Sequence, residues 1–339
     1  MLAPPGEHAS TVVCLTAAAS VMSLATAGRL RPIAAALSTA STRVAATSAA
    51  SEGSVAPVRR VVACGRGRDI CAPPIRDAIV ELAQKAAGTT APPSLLYIGT
   101  PDFDSQEGRE LQTAGFAEVG CPVSELKLTH ETPPTDAIRA AIERAEIIAV
   151  SGGNTLFAVA RWRQLGVDKL LTAAWERGAV MIGGSAGAIC WFDGGHSDSL
   201  SPASVLNPKP NMSDEELKSW NYVRVAGLGL VPALCCPHHD TTQSNGIARA
   251  TDFNRMMLEN PAEVGVCIDN NCAFIYESQE GGEANWRAVS SGSWEHGESG
   301  GLSKKVYHNG VIVETELECD GRLQPMSELL MLPDFTHLP

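Results

Sequence analysis

Short apolar runs, each closed by glycine or another turn residue, alternate with amphipathic stretches along most of the chain. Arg59-Arg60-Val61-Val62-Ala63-Cys64 ends in Gly65 and predicts a first strand. A helical pattern runs from Pro74 to Ala87, and the buried run Ser94 to Thr100 predicts a strand closing in a turn. Helical spacing recurs near Ser105 to Ala114 and from Ala137 to Arg144, followed by a strand at Ile147 to Val150. Asn154 to Leu165 is helical again, and the strand Ala179 to Ile182 runs directly into glycines. Two later apolar runs, Gly229 to Cys236 and Val264 to Ile268, have strand character. This alternation predicts an α/β fold, a mostly parallel sheet with helices on both faces. Asn285 to Leu317 alternates around the His308-Asn309-Gly310 turn, which predicts a C-terminal β-hairpin extension. The reading gives a single α/β domain over residues 59–320 and a C-terminal tail over 321–339.

Residues 1–55 break this pattern. They are rich in Ala, Ser and Thr, carry Arg29, Arg31 and Arg43, and contain one acidic residue, Glu7, before Glu52. That composition reads as an organelle transit peptide for plastid or mitochondrion, with a disordered extension as the alternative; without a leader the expected location is cytoplasmic. The remaining chain has no apolar run long enough for a membrane-spanning helix. A net charge of -12 disfavours nucleic acid or an anionic membrane as the main partner and leaves small peptides and other small molecules open. Ten cysteines are scattered with no Cys-x-x-Cys pair, so they read as reduced thiols and not as a metal or redox motif.

The candidate chemistry lies at strand ends, where open parallel sheets gather their ligands. Gly183-Gly184-Ser185-Ala186-Gly187 matches the G-x-S-x-G elbow, whose small residues let the chain turn sharply and lift a serine hydroxyl above the sheet. The Ser151-Gly152-Gly153-Asn154 turn is a second glycine-marked strand end, able to bring a backbone donor close to substrate. A serine nucleophile needs a base, and the base needs an orienting partner. The apolar run ending in Pro237-His238-His239-Asp240 supplies the histidine, with His238 preferred. The turn Asp269-Asn270-Asn271 supplies the acid, with Asp269 preferred and Asp198 and Asp240 as rivals. His196 reads as a loop residue. An α/β-hydrolase esterase would place its acid before the histidine, and so would require His296, His308 or His337.

Together these stretches resemble the peptidase E (aspartyl dipeptidase) family of serine peptidases, whose relatives include cyanophycinase. The matching elements are Gly152-Gly153-Asn154-Thr155, Gly184-Ser185-Ala186-Gly187-Ala188, Pro237-His238 and the Asp269 turn. The resemblance covers about Arg59 to Glu277 and implies a fold similar to the class I glutamine amidotransferase domain. It implies Ser185 as nucleophile, His238 as base and Asp269 as acid, where the family often has glutamate. It further implies oxyanion donors at Gly153 and Ala186, and substrate contacts from Asn154 and from Arg249, with Arg255 competing. The implied activity is metal- and cofactor-independent hydrolysis of dipeptides or small peptides, with N-terminal aspartate as the family preference. A cyanophycinase-like hydrolase, an esterase, a non-catalytic binding protein and a homodimeric assembly stay open.

Overall fold

A computed structural model describes residues 57–207, 209–292 and 300–331. The leader read over residues 1–55 lies outside these, as do His296 and His337. The apolar runs become strands with little slippage: β1 is Arg59–Cys64, β2 Leu95–Ile98, β4 Ile147–Val150 and β5 Val180–Gly184, and a short strand the pattern did not predict, β3 (Val123–Glu125), lies beside β2. Between them lie helices Pro73–Ala87, Gln106–Glu118, Thr135–Arg144, Thr155–Leu165 and Val167–Glu176. Their ends follow local chemistry. Prolines begin the first helix, Gly88 ends it in the left-handed region at φ 64°, and Ser105 caps the second by accepting from the Gly108 N–H.

After β5 the chain forms only a four-residue helix, Ala186–Ile189. It then enters β6 (Phe192–Ser197), β7 (Val223–Ala226), β8 (Val231–Pro237) and β9 (Gly265–Ile268), with helix Arg249–Glu259 between the last two. The remaining elements are β10 (Cys272–Ser278), β11 (Asn285–Ser290), β12 (Leu302–His308), β13 (Val311–Leu317), β14 (Gln324–Pro325) and helix Met326–Leu330. The strands divide between two sheets. The first has the order β14-β11-β10-β1-β5-β4-β2-β3, and the second β13-β12-β9-β8-β6-β7. Each has a parallel centre with antiparallel strands beside it: β1, β5, β4, β2 and β3 in the first, and β6, β8 and β9 in the second, are parallel.

The α/β class holds, but the hydrophobic pattern carried no sign of the second sheet. A helix of four residues is too short to recross the first sheet, so the chain starts a new one at β6. Its glycines hid that strand: a β-carbon on Gly195 would lie 2.6 Å from the Cys235 carbonyl oxygen. His196 is therefore a buried strand residue and not part of a loop.

Alternate residues of β1 feed different cores. Val61 and Ala63 join the larger cluster and Val62 and Cys64 the smaller, so both faces of the first sheet are covered. The expected hairpin forms as β12 and β13, turning at Asn309 (φ 46°) and Gly310 (φ 91°). The fold also continues beyond residue 320. β14 pairs with β11, Met326 and Leu329 enter the larger core, and Lys304 Nζ on β12 donates to the carbonyls of Glu328, Leu329 and Met331. A cation on the last carbonyls of a helix satisfies acceptors the helix itself cannot. Leu329→Ala should therefore lower the unfolding free energy by about 2–5 kcal/mol. Urea denaturation measures it, and a change within error would show that this segment is an appendage after all.

Candidate active site

Ser185 sits between β5 and the short helix with φ 56° and ψ −120°, a strained conformation for a residue with a side chain. Its surroundings hold it there. A β-carbon on Gly184 would lie 2.2 Å from the Arg66 carbonyl oxygen, one on Gly187 would lie 2.2 Å from that of Val150, and the Ser185 N–H donates to Cys64 O at 3.2 Å. The side chain opens into a cavity of about 390 Å³ lined by Gly153, Ser185, Asp198, Ser201, Ser204 and Gln243, among others.

The Gly152-Gly153 turn closes over the serine. A β-carbon on Gly152 would stand 3.9 Å from Ser185 Oγ, and the Gly152 N–H is fixed on Gln112 Oε1 at 3.2 Å. Gly153 has φ 125°, and a β-carbon there would meet Pro101 O at 2.2 Å, so only glycine fits. Ala186 is the first residue of its helix, where a backbone N–H has no intrahelical acceptor.

The histidine comes from the other sheet. β8 ends at Pro237, and His238 turns out of it at φ 51°. Its Nδ1 lies 2.7 Å from Asn270 Oδ1. This corrects the choice of Asp269, whose Oδ1 lies 3.3 Å from Nδ1 of His239, while Oδ2 accepts the Gly301 N–H at 3.2 Å. The Asp269 N–H also donates to Gly301 O, so both its backbone and its carboxylate are turned toward β12. One residue later the side chain points the other way, onto His238. Asp240, a rival for the acid, accepts the Asn270 N–H at 3.0 Å and so fixes this turn.

With an amide oxygen as its acceptor, Nδ1 is assigned the proton and Nε2 the lone pair. Burial, seconded by the positive charge of Arg249, pushes the imidazole down to about 4, against the opposing effects of Asp198 and the Asn270 hydrogen bond. His238 is thus a neutral acceptor at neutral pH. Among the described residues Ser185 Oγ makes no hydrogen bond to it; such contacts commonly tighten only with substrate bound.

Other expected contacts fall elsewhere. Asn154 caps helix Thr155–Leu165 by accepting the Phe157 N–H, and its Nδ2 donates to Ser199 O and Ser204 O. Its oxygen is engaged by the helix and both amide hydrogens by the 199–204 loop, which corrects its assignment as a substrate contact. Arg249 has no solvent exposure. It donates to Pro237 O at 3.0 Å, lies 5.1 Å from the Tyr222 ring centroid, and its Nη2 is 3.6 Å from Asp198 Oδ2. Asp198, one-fifth exposed, therefore stands between that guanidinium and the cavity. Arg255 pairs with Asp252 and Glu259 on an outer helix face. His196 is buried against Asp252 at 3.0 Å, and burial pushes it down to about 4. His308 sits at the β12–β13 turn, on the outer strands of the second sheet. No group of three or more His, Cys, Asp or Glu among the described residues could hold a metal ion.

Sequence reasoning missed Arg66 and Asp69. Asp69 accepts from the N–H groups of Arg66 and Asn271 at 3.0 and 2.9 Å, and Arg66 reaches both Asp69 Oδ1 at 3.0 Å and Asn271 Oδ1 at 2.8 Å. In the sequence they are charges in a glycine-rich loop, with no signal of their distant partner.

A sequence model described as "Peptidase family S51" matches residues 73–283. An uncharacterized peptidase, YgaJ, of Bacillus subtilis (strain 168) is 32% identical over 148 residues, covering 44% of this chain and 55% of that protein. An uncharacterized peptidase, Lin0382, of Listeria innocua serovar 6a is 36% identical over 165 residues, covering 48% and 69%. The chain thus spans between about half and two thirds of the length of these relatives. The crystal structure of a peptidase from an acI-B1 Actinobacterium shares the fold with a TM-score of 0.55 at 16% identity, over 79% of this chain and 97% of that one.

The two depressed histidines make stability depend on pH with a definite sign. Between 6.5 and about 4 the unfolded chain binds more protons than the native one, so their contribution is complete above 6.5 and declines as pH falls through that window. In an NMR titration the His238 ring should stay neutral to well below pH 6, and Asn270→Asp should raise its midpoint by adding a negative charge at Nδ1. An unmoved midpoint in that variant would remove Asn270 from contact with the ring.

Proposed function

The chain belongs to peptidase family S51, and we propose that it hydrolyses short peptides through an acyl-enzyme formed on Ser185. The observation that carries this reading is the strained Ser185 conformation at the mouth of a cavity that Gly153 also lines. In the proposed cycle Ser185 Oγ attacks the scissile carbonyl carbon as His238 Nε2 takes its proton. The N–H groups of Gly153 and Ala186 receive the oxyanion, an interaction worth roughly 3–4 kcal/mol per donor. The imidazolium returns its proton to the leaving amine. Water then repeats the sequence on the acyl-enzyme and frees the serine.

Asn270 keeps the imidazole in the working tautomer without contributing charge, as asparagine does in the Cys-His-Asn variants of the same constellation. A neutral partner stabilises the imidazolium less than a carboxylate would, consistent with the low pKa of His238. The acid limb of kcat/KM is therefore expected far below pH 6.5.

A cavity of about 390 Å³ suits a substrate of dipeptide size. The family preference for N-terminal aspartate would need Arg249 to meet the substrate carboxylate. Asp198 occupies that approach, so the wild-type site is proposed to accept small unblocked peptides without favouring Asp-X. Ser185→Ala should lose at least about a thousandfold in kcat/KM on a dipeptide panel, together with labelling by a fluorophosphonate. Equal turnover by variant and wild type would remove Ser185 from the mechanism. Asp198→Asn, which takes the competing anion from Arg249, should raise the ratio of Asp-X to neutral-X turnover. A ratio that stays constant would mean Arg249 does not reach the substrate.

A further inference from the structure

Nine cysteines fall among the described residues, and eight are buried; Cys319 alone of these is partly exposed. Most of the buried ones lie within strands, and burial pushes the Cys190 thiol far up and the Cys236 thiol up to about 12, away from reactivity. Cys319 is different. Its Sγ lies 3.8 Å from Sγ of Cys272, across 47 residues of sequence. The hydrogen bond between them holds the Cys319 thiol below its ordinary range and raises that of Cys272. One partner is thus reachable by a small oxidant, and the other waits behind it in the arrangement of an attacking and a resolving thiol.

We propose that Cys272 and Cys319 form an oxidant-responsive disulfide that acts on the catalytic turn. The gap of 3.8 Å must close to ~2.05 Å, a change that needs both side chains to turn and the two segments to draw together. With a small disulfide such as oxidised glutathione, the Cys319 thiolate attacks one sulfur and expels a glutathione thiolate. Cys272 then passes its proton to the released glutathione thiolate, attacks Cys319 Sγ and expels the second. Two protein thiols are oxidised to one disulfide, and one disulfide is reduced to two thiols.

The position of Cys272 gives this bond its consequence. It is the first residue of β10 and follows Asn270 and Asn271 directly, and its carbonyl accepts the Gly65 N–H at 3.2 Å. Gly65 in turn adjoins Arg66, which holds Asn271. Drawing Cys272 Sγ toward the segment after β13 pulls on the base of the turn that orients His238. This catalytic part rests on the peptidase reading; formation of the disulfide does not.

The test treats the full chain with oxidised glutathione and maps disulfides by mass spectrometry after non-reducing digestion. The expected product is a Cys272–Cys319 cross-linked peptide, with two hydrogens lost per chain and reversal by dithiothreitol. A stable glutathione adduct on Cys319, or no linkage at all, overturns the proposal. On the dipeptide panel, oxidation should lower kcat severalfold with little change in KM, and Cys319→Ser should abolish that response while keeping untreated activity. A cross-link that leaves kcat unaltered overturns the coupling to the turn. Should wild type lack Ser185-dependent turnover, the peptidase reading fails while the mass measurement still decides the disulfide.

Discussion

A carboxylate sealed from solvent joins the two halves of the site. Asp69 lies beside Arg66 and receives the backbone of Asn271, and burial raises its pKa against the pull of that arginine. Arg66 packs its own carbonyl against Gly184, immediately before Ser185, and gives its guanidinium to Asn271, immediately after the residue that holds His238. Such a pair is costly to desolvate, and the backbone N–H groups and the Asn271 amide that also meet it offset part of that cost. Its value here is geometric. Ser185 belongs to the first sheet and His238 to the second, and this bridge spans the crossing between them.

That crossing explains why the orienting group is an amide. β9 lies in the second sheet and β10 in the first, so residues 269–271 must leave one and enter the other. Asn271 takes φ 63° to do so. Asp269 is still committed to β12, and Asn270 is the first side chain free to face His238. Hydrogen bonding to a neutral acceptor fixes the ring and offsets only part of the lowering by burial and the neighbouring arginines.

Much of the fold was legible because buried parallel strands need continuous apolar runs; β1 and β4 matched their predicted ends residue for residue. The elbow was legible for a steric reason, since glycine alone fits against Arg66 O and Val150 O. What stayed hidden depended on direction. A strand-end sequence does not say toward which neighbour Asp269 or Asn270 points, because the following turn decides it. Asn154 looked like a ligand contact but is an N-cap, a role the residue type serves equally well. β6 was invisible because Gly194 and Gly195 weaken its strand signal while close packing demands them.

The last described segment shows how the sheets are kept in step at their far side. β14 extends the first sheet beyond β11, while Lys304 of the second sheet grips the helix that follows it. The short strand thereby screens backbone donors and acceptors along Asn285 and Trp286 that would otherwise form a bare margin. Unscreened margins of this kind recruit strands from other molecules. By covering that stretch, β14 takes away part of a template on which neighbouring copies could polymerise.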